Sequence, residues 1–121
     1  MGKFVVHEHE AQKAGWHHDL RLERGGVLKS WAVPKGVPEE PGVRRLAKQV
    51  EDHDLEYGKF EGRIPKGQYG AGRVIIWDSG TYKTISWSDN KIEVTFHGKR
   101  LHGEYLLLWM EKMGGWLLWK R

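Results

Sequence analysis

The run His17-His18-Asp19-Leu20-Arg21-Leu22-Glu23-Arg24-Gly25-Gly26-Val27-Leu28-Lys29-Ser30-Trp31-Ala32-Val33 decides how the chain folds. It reads as a strand, a tight glycine turn and a second strand. In an extended strand, alternate side chains share a face. His17, Asp19, Arg21 and Glu23 therefore point one way, and His18, Leu20 and Leu22 the other. The leucine side is the one a sheet buries. The opposite side is a row of imidazole, carboxylate and guanidinium. Such a row suits a metal ion beside an anion, with His and Asp as ligands and Arg as the clamp. The plain alternative is a solvated face with ordinary charges. A two-residue turn at Gly25-Gly26, or one step earlier at Arg24-Gly25, sets odd positions before it against even positions after it. Leu28, Ser30 and Ala32 then join the His/Asp/Arg face, and Ser30 is placed to touch whatever Arg21 holds.

The bulk composition bounds the rest. A chain of 121 residues is one domain with a single core. A net charge of +4 leans modestly toward a polyanionic partner. With no cysteine, disulfides and thiolate metal sites are excluded, so any metal must sit on His and carboxylates. No long apolar run or signal-like N-terminus is present, which points to a cytoplasmic protein without a membrane partner. Sixteen glycines and seven tryptophans suggest many short strands joined by tight turns.

Working outward, residues 4–9 read as a short strand with Val5, His7 and His9 on one face, and either histidine could reach a metal. Residues 10–15 read as a loop. Residues 42–50 carry Val43, Leu46, Ala47 and Val50 at i, i+3, i+4, i+7, which predicts a short helix. Glu51, His53, Leu55 and Tyr57 align if that segment is extended. Residues 60–72 form a glycine-rich loop that lacks the Gly-Lys-Ser/Thr ending of a phosphate-binding P-loop and reads as a connection. Beyond it come strands at 73–77, 81–87, 91–97, 102–110 and 116–120, with turns at 78–80, 88–90 and 112–115. The expected fold is mainly β: a small antiparallel barrel of about eight strands with one or two short flanking helices. Most tryptophans are expected to fill the core, and His97 and His102 to lie on the surface.

Several stretches together resemble the 3′-phosphoesterase domain of bacterial DNA ligase D and its stand-alone archaeal relatives. They are Phe4-Val5-Val6 with His9; His17 to Glu23; Gly26 through Ser30-Trp31-Ala32-Val33-Pro34-Lys35-Gly36; Glu51-Asp52-His53 with Leu55-Glu56-Tyr57; Phe60-Glu61-Gly62 with Ile64-Pro65; and Tyr69-Gly70-Ala71-Gly72 with Trp77-Asp78. The resemblance implies a manganese-dependent enzyme of DNA end repair in non-homologous end joining. Such an enzyme removes a 3′-terminal ribonucleoside and then the remaining 3′-phosphate from primer-template ends. It implies His9, His17 and Asp19 as ligands of the divalent ion. Arg21, Ser30, Lys35, Arg45, His53 and Tyr57 would line the phosphate site, with Glu51 beside His53. The chain departs from the pattern in a loop two residues longer at about Ala14-Gly15, in an additional His7, and in His18 where an aromatic usually stands. Met1 lies almost against the first strand, without the bacterial domain's N-terminal extension. Ligase and polymerase partners are expected to come in trans.

Two other classes compete. His-x-Asp with a distant His is also the facial triad of non-haem iron oxygenases, which oxidise a substrate with iron and a keto-acid. A non-catalytic nucleic-acid-binding barrel would bind in a salt-sensitive way, indifferent to chelator and to loss of Asp19.

Overall fold

The computed structural model describes residues 1–121. The strands are β1 (Gly2–Ala11), β2 (Gly15–Arg24), β3 (Val27–Val33), β4 (Arg44–His53), β5 (Gly62–Ile64), β6 (Gly72–Trp87), β7 (Lys91–Gly98), β8 (His102–Met110) and β9 (Gly115–Lys120). The only helix is a 3-10 turn, Leu55–Lys59. Strands pair in the order β1-β2-β3-β4-β9-β8-β7-β6, and β6 returns to β1. Eight antiparallel strands thus close into a barrel, and short β5 hangs on the outside of the ring beside β6. Closure leaves the barrel itself no free edge.

The period-two pattern assigns the two faces. Phe4, Val6, Leu20, Leu22, Trp31 and Val33 point into the barrel and are almost fully buried. Each large apolar side chain buried this way contributes roughly 1.5–3 kcal/mol. Arg24 pairs with Val27, so the hairpin turns at Gly25-Gly26. Both glycines have positive φ (63° and 81°), as a tight turn between twisted strands requires. Asp19 faces Ala32, Arg21 faces Ser30 and Glu23 faces Leu28, which places those six side chains on the outer face as the alternation requires.

Four expectations are corrected. Residues 42–50 are not a helix: from Arg44 onward they form β4, paired with β3 on one side and β9 on the other. Helix-forming Arg, Leu, Ala, Lys and Gln are overruled because the barrel needs a strand there to close, and tertiary pairing outweighs intrinsic propensity. Only Ala47 of the supposed apolar stripe is buried, while Leu46 is half exposed. Residues 78–80 are not a turn but the middle of the 16-residue strand β6. Their turn-like chemistry serves other ends. The buried Asp78 carboxylate accepts hydrogen bonds from the amides of Lys99, Arg100 and Leu101 at 2.9, 3.1 and 2.8 Å. Gly80 lies so close to the His97 carbonyl that a Cβ would collide with it. Finally, the extended reading of residues 51–57 ends at His53, where the chain enters the 3-10 turn. The loop read at 10–15 shrinks to residues 12–14, because β1 runs to Ala11 and β2 begins at Gly15.

Candidate active site

The outer faces of β1, β2 and β3 curve beneath two tips: the β1–β2 turn and the segment after β5. Between them lies a cleft of about 460 Å³ lined by His9, His17, Asp19, Arg21, His53 and Tyr57, among others. β1 and β2 pair in register, His9 opposite His17 and His7 opposite Asp19. Backbone pairing alone therefore sets the imidazoles beside the carboxylate. His9 Nδ1 lies 3.3 Å and His17 Nε2 3.2 Å from the Asp19 carboxylate. One ligand atom from each of the three residues falls within 4.8 Å of the others.

The far nitrogen of each ring is held by backbone. His9 Nε2 donates to the Gly70 carbonyl at 2.8 Å, and His17 Nδ1 to the Gly15 carbonyl at 3.2 Å. This fixes the tautomers that leave a lone pair on His9 Nδ1 and on His17 Nε2, both aimed at Asp19. Two lone pairs and a carboxylate facing one another call for a cation or a proton in their midst. The hydrogen bond to Asp19 accordingly raises the His17 pKa, against burial. Burial works to raise the Asp19 pKa, yet the hydrogen bonds with His17 and His9 and the charge of Arg21 hold it well below the usual carboxylate range. Two imidazoles and an ionised carboxylate, each oriented by a partner, fit a divalent ion of the borderline class and leave further coordination positions toward the cleft.

Arg21 lies next along the same face and is only 2% exposed. Its Nε donates to His7 Nδ1 at 3.0 Å and its Nη1 to Ser30 Oγ at 2.9 Å. Its Nη2 is 3.4 Å from the Asp19 carboxylate, and its Cζ sits 4.9 Å from the centre of the Tyr57 ring. Ser30 Oγ passes the network on to the Leu28 carbonyl at 3.0 Å. Burial lowers the Arg21 pKa while Asp19 opposes it; a guanidinium remains a cation throughout.

His7 is not among the candidate ligands. Its Nε2 donates to the Phe60 carbonyl at 3.0 Å, which leaves Nδ1 to accept from Arg21. Burial, and then the Arg21 charge, lower its pKa to about 4, so it serves as a neutral prop for the guanidinium. His18 belongs to the opposite side of β2. It packs between the Trp16 and Trp77 rings, and its Nδ1 accepts the Val37 amide at 2.9 Å. Burial lowers its pKa to about 4 as well.

His53 and Tyr57 reach the cleft by different backbone states, strand end and 3-10 turn, yet their rings meet at 4.6 Å. Tyr57 also stacks on Phe60, with ring centres 5.3 Å apart. His53 Nδ1 is 3.0 Å from the Glu51 carbonyl and 3.2 Å from Arg21 Nη1. The carbonyl asks for a proton on that nitrogen and the guanidinium asks for a lone pair, so a neutral ring can satisfy only one at a time. Burial and then Arg21 lower the His53 pKa, which favours the neutral ring.

The structure thus brings together His9, His17, Asp19, Arg21, Ser30, His53 and Tyr57. It does not bring Lys35, Arg45 or Glu51 into the cleft lining. Lys35 is exposed just past the lining residue Pro34. Arg45 pairs with Leu118 of β9, and Glu51 contributes its carbonyl rather than its carboxylate. The sequence reading also missed a wall. The glycine-rich segment is more than a connection, since Ile64, Gly67, Gln68, Tyr69, Gly70 and Ala71 close one side of the cleft. The signal was its four glycines, Gly62, Gly67, Gly70 and Gly72, all of which have positive φ. Gly72 lies against the Glu10 carbonyl where a Cβ would collide.

Fold and site together define a closed β-barrel with a two-histidine, one-carboxylate centre beside a buried guanidinium on its outer wall. Residues 7–109 match the family model described as the DNA Ligase D 3'-phosphoesterase domain, and the chain belongs to that family. It is 53% identical over 109 residues, 87% of its length, to the multifunctional non-homologous end joining protein LigD of Mycobacterium bovis. The LigD proteins of Mycolicibacterium smegmatis and Pseudomonas aeruginosa are 48% and 45% identical over 95% and 88% of this chain. The chain spans only 14%, 16% and 13% of the length of these three relatives.

Proposed function

We propose that this chain heals DNA 3′ ends: it removes a 3′-terminal ribonucleoside and then the 3′-phosphate, leaving a 3′-hydroxyl. The observation that carries the reading is the placement of His9, His17 and Asp19 in one triad, with Arg21 next on the same strand face, in a member of this phosphoesterase family. His9, His17 and Asp19 would hold a divalent ion, manganese in this reading. Bound there, it would supply positive charge to a phosphate's non-bridging oxygens and lower the pKa of a water.

The chain's own groups do the rest. Arg21 has Nε and Nη1 engaged by His7 and Ser30, which fixes the guanidinium plane before substrate arrives. Its charge is aimed at oxygens that gain charge in the transition state, in a site where no reorganisation is needed. Tyr57 covers the guanidinium and excludes water from one side. His53, kept neutral, is placed to donate to or accept from the leaving or attacking oxygen. Lys35, Arg45 and Glu51 stand outside the lining; Lys35, beside Pro34, is available to a neighbouring backbone phosphate. A polymerase and a ligase, which extend and seal a 3′-hydroxyl end, are the activities this reading calls for next.

The test is a labelled primer-template ending in one ribonucleotide, and a second ending in a 3′-phosphate, each with manganese, magnesium or chelator. Metal-dependent conversion of the first to a 3′-phosphate, and of both to a 3′-hydroxyl, is the expected result. Intact substrates in every metal, with the DNA still bound in a salt-sensitive way, would refute the reading and leave a binding module.

A further inference from the structure

The triad and Arg21 account for one end of the cleft and leave the other end unexplained. A phosphate group needs little of the 460 Å³ and none of the apolar wall made by Ala11, Ala14, Pro34, Val50 and Ile64. Spaces of this size, roughly 300–1,000 Å³, hold whole small-molecule ligands. The open end is framed by the tips of two turns. The β1–β2 turn carries Lys13, and the glycine-rich turn carries Tyr69, a residue 85% exposed.

Tyr69 is exposed without being loose. Its turn is tied by Gln68 N–H to Pro65 O (3.2 Å) and by Ala71 N–H to Gln68 O (3.1 Å). Gln12 N–H reaches across to Ala71 O (2.9 Å), joining the two tips, and His9 Nε2 grips Gly70 O (2.8 Å). Tyr69 therefore projects from backbone anchored to a candidate ligand. An apolar ring held out in water on a rigid support is the form of a stacking platform, and a neighbouring ammonium is the usual companion of such platforms on nucleic-acid surfaces.

We propose that Tyr69 and Lys13 form the subsite for the nucleotide on the 5′ side of the reacting phosphate. Tyr69 stacks on its base, and Lys13 pairs with the backbone phosphate beyond it. The proposal rests on the 3′-end reading above. Both expected reactions retain that nucleotide, so one subsite serves both. Tyr69 is a positioning residue here, since the reacting atoms lie with Arg21 and the triad. Every base has a stackable face, so the subsite grips an end of any sequence.

The experiment uses the full chain and the two labelled primer-templates, with 2-aminopurine placed as that 5′ nucleotide. Tyr69→Ala is expected to raise KM about tenfold on both ends with kcat within about threefold, and to abolish the quenching of 2-aminopurine seen with wild type. Tyr69→Trp restores both. Lys13→Ala lowers the log-log salt slope of binding by about one. The manganese-induced rise in Tm is the same in all variants. Unchanged KM and quenching in Tyr69→Ala overturn the subsite and leave the functional reading standing. So does an effect confined to the ribonucleotide end, which would place the departing base on the ring. A fall in kcat together with loss of the manganese effect would mean that Tyr69 only holds Gly70 against His9, and also overturns it. If wild type converts neither end, the functional reading fails first and the subsite with it.

Discussion

Replacing Arg21 with lysine keeps the charge and removes the fork, so it isolates what the geometry contributes. In the native protein the guanidinium donates to His7 and Ser30, approaches His53 and faces Asp19 at 3.4 Å. An ammonium at the end of a flexible stem can keep the pairing with Asp19 and about one of the other bonds. At least one of His7 Nδ1 and Ser30 Oγ then loses a charged donor inside the wall. Bonds to charged groups contribute about 1.5–3 kcal/mol each. Losing one or two, with some relief from water entering the cleft, gives an expected destabilisation of about 2–4 kcal/mol. For a chain of this size that is a fall in Tm of about 8–16 °C, at about 4 °C per kcal/mol. Activity should suffer separately. A preorganised donor aimed at developing charge is worth roughly 100- to 1,000-fold in kcat, and a lysine without fixed direction forfeits most of it. The assays are urea or thermal unfolding without metal, and steady-state release from the 3′-phosphate end with manganese. A variant within about threefold of wild type in kcat, and within about 2 °C in Tm, would refute the idea that the fork is held by His7 and Ser30 for catalysis. Loss of stability with full activity would make the network structural only.

Three other outcomes follow from the same side-chain network and its supporting turn. At about one hundred times its Kd, manganese should stabilise wild type by about 2.7 kcal/mol; Asp19→Ala should fold, show no such shift and have no activity, as differential scanning fluorimetry with and without chelator would reveal. The metal-free protein should lose stability on acidification. His7 and His18 have folded pKa values of about 4 against 6.5 unfolded, so the unfolded chain binds more protons between those values. Stability then rises with pH across roughly 4 to 6.5 and is lost as pH falls through that window, by on the order of 1–3 kcal/mol per histidine. The raised pKa of His17 acts in the opposite sense: its stabilisation is fully present below the unfolded value and is lost as pH rises through the folded one. Urea midpoints at pH 7.5, 6 and 4.5 would check the net slope, and a flat profile would show that neither histidine is buried neutral. Gly72→Ala should lower Tm and weaken manganese binding together, since its Cβ would strike the Glu10 carbonyl and displace the turn that presents Gly70 to His9; a metal titration followed by melting would separate the two effects.

Much of the wall was legible because alternation is a local rule. The faces of residues 17–23 and 28–32 follow from period two and one glycine turn, and the structure keeps every one of those assignments. The family resemblance supplied what period cannot, such as the approach of His53 and Tyr57 from a distant segment. What stayed hidden depends on closure. Nothing within residues 42–50 announces that β3 and β9 lack a partner, so helix-forming residues and an i, i+3, i+4, i+7 pattern prevail in isolation. Asp78 and Gly80 look like a turn because their neighbours in space, the amides of 99–101 and the His97 carbonyl, come from another strand. The role of His7 was hidden for a similar reason. A histidine two residues before a candidate ligand on the same face looks like a ligand until the Phe60 carbonyl is seen to take its proton.

That last detail bears on why the site sits on the outside of a barrel. A small barrel's interior is filled by side chains, and here Leu20, Leu22, Trp31 and Val33 occupy it. The same strands must hold a carboxylate and a guanidinium on their other face, where water would screen them. Burial is restored by the 3-10 turn and the glycine-rich segment, which lie over the outer face and supply the Phe60 and Gly70 carbonyls. These two carbonyls fix the tautomers of His7 and His9, and through them the direction of Arg21 and of the first candidate ligand. The outer wall therefore becomes a site because a second layer of irregular chain covers it. The part of the sequence that least resembles regular structure, residues 54–72, is the part that turns an exposed row of charges into a preorganised one.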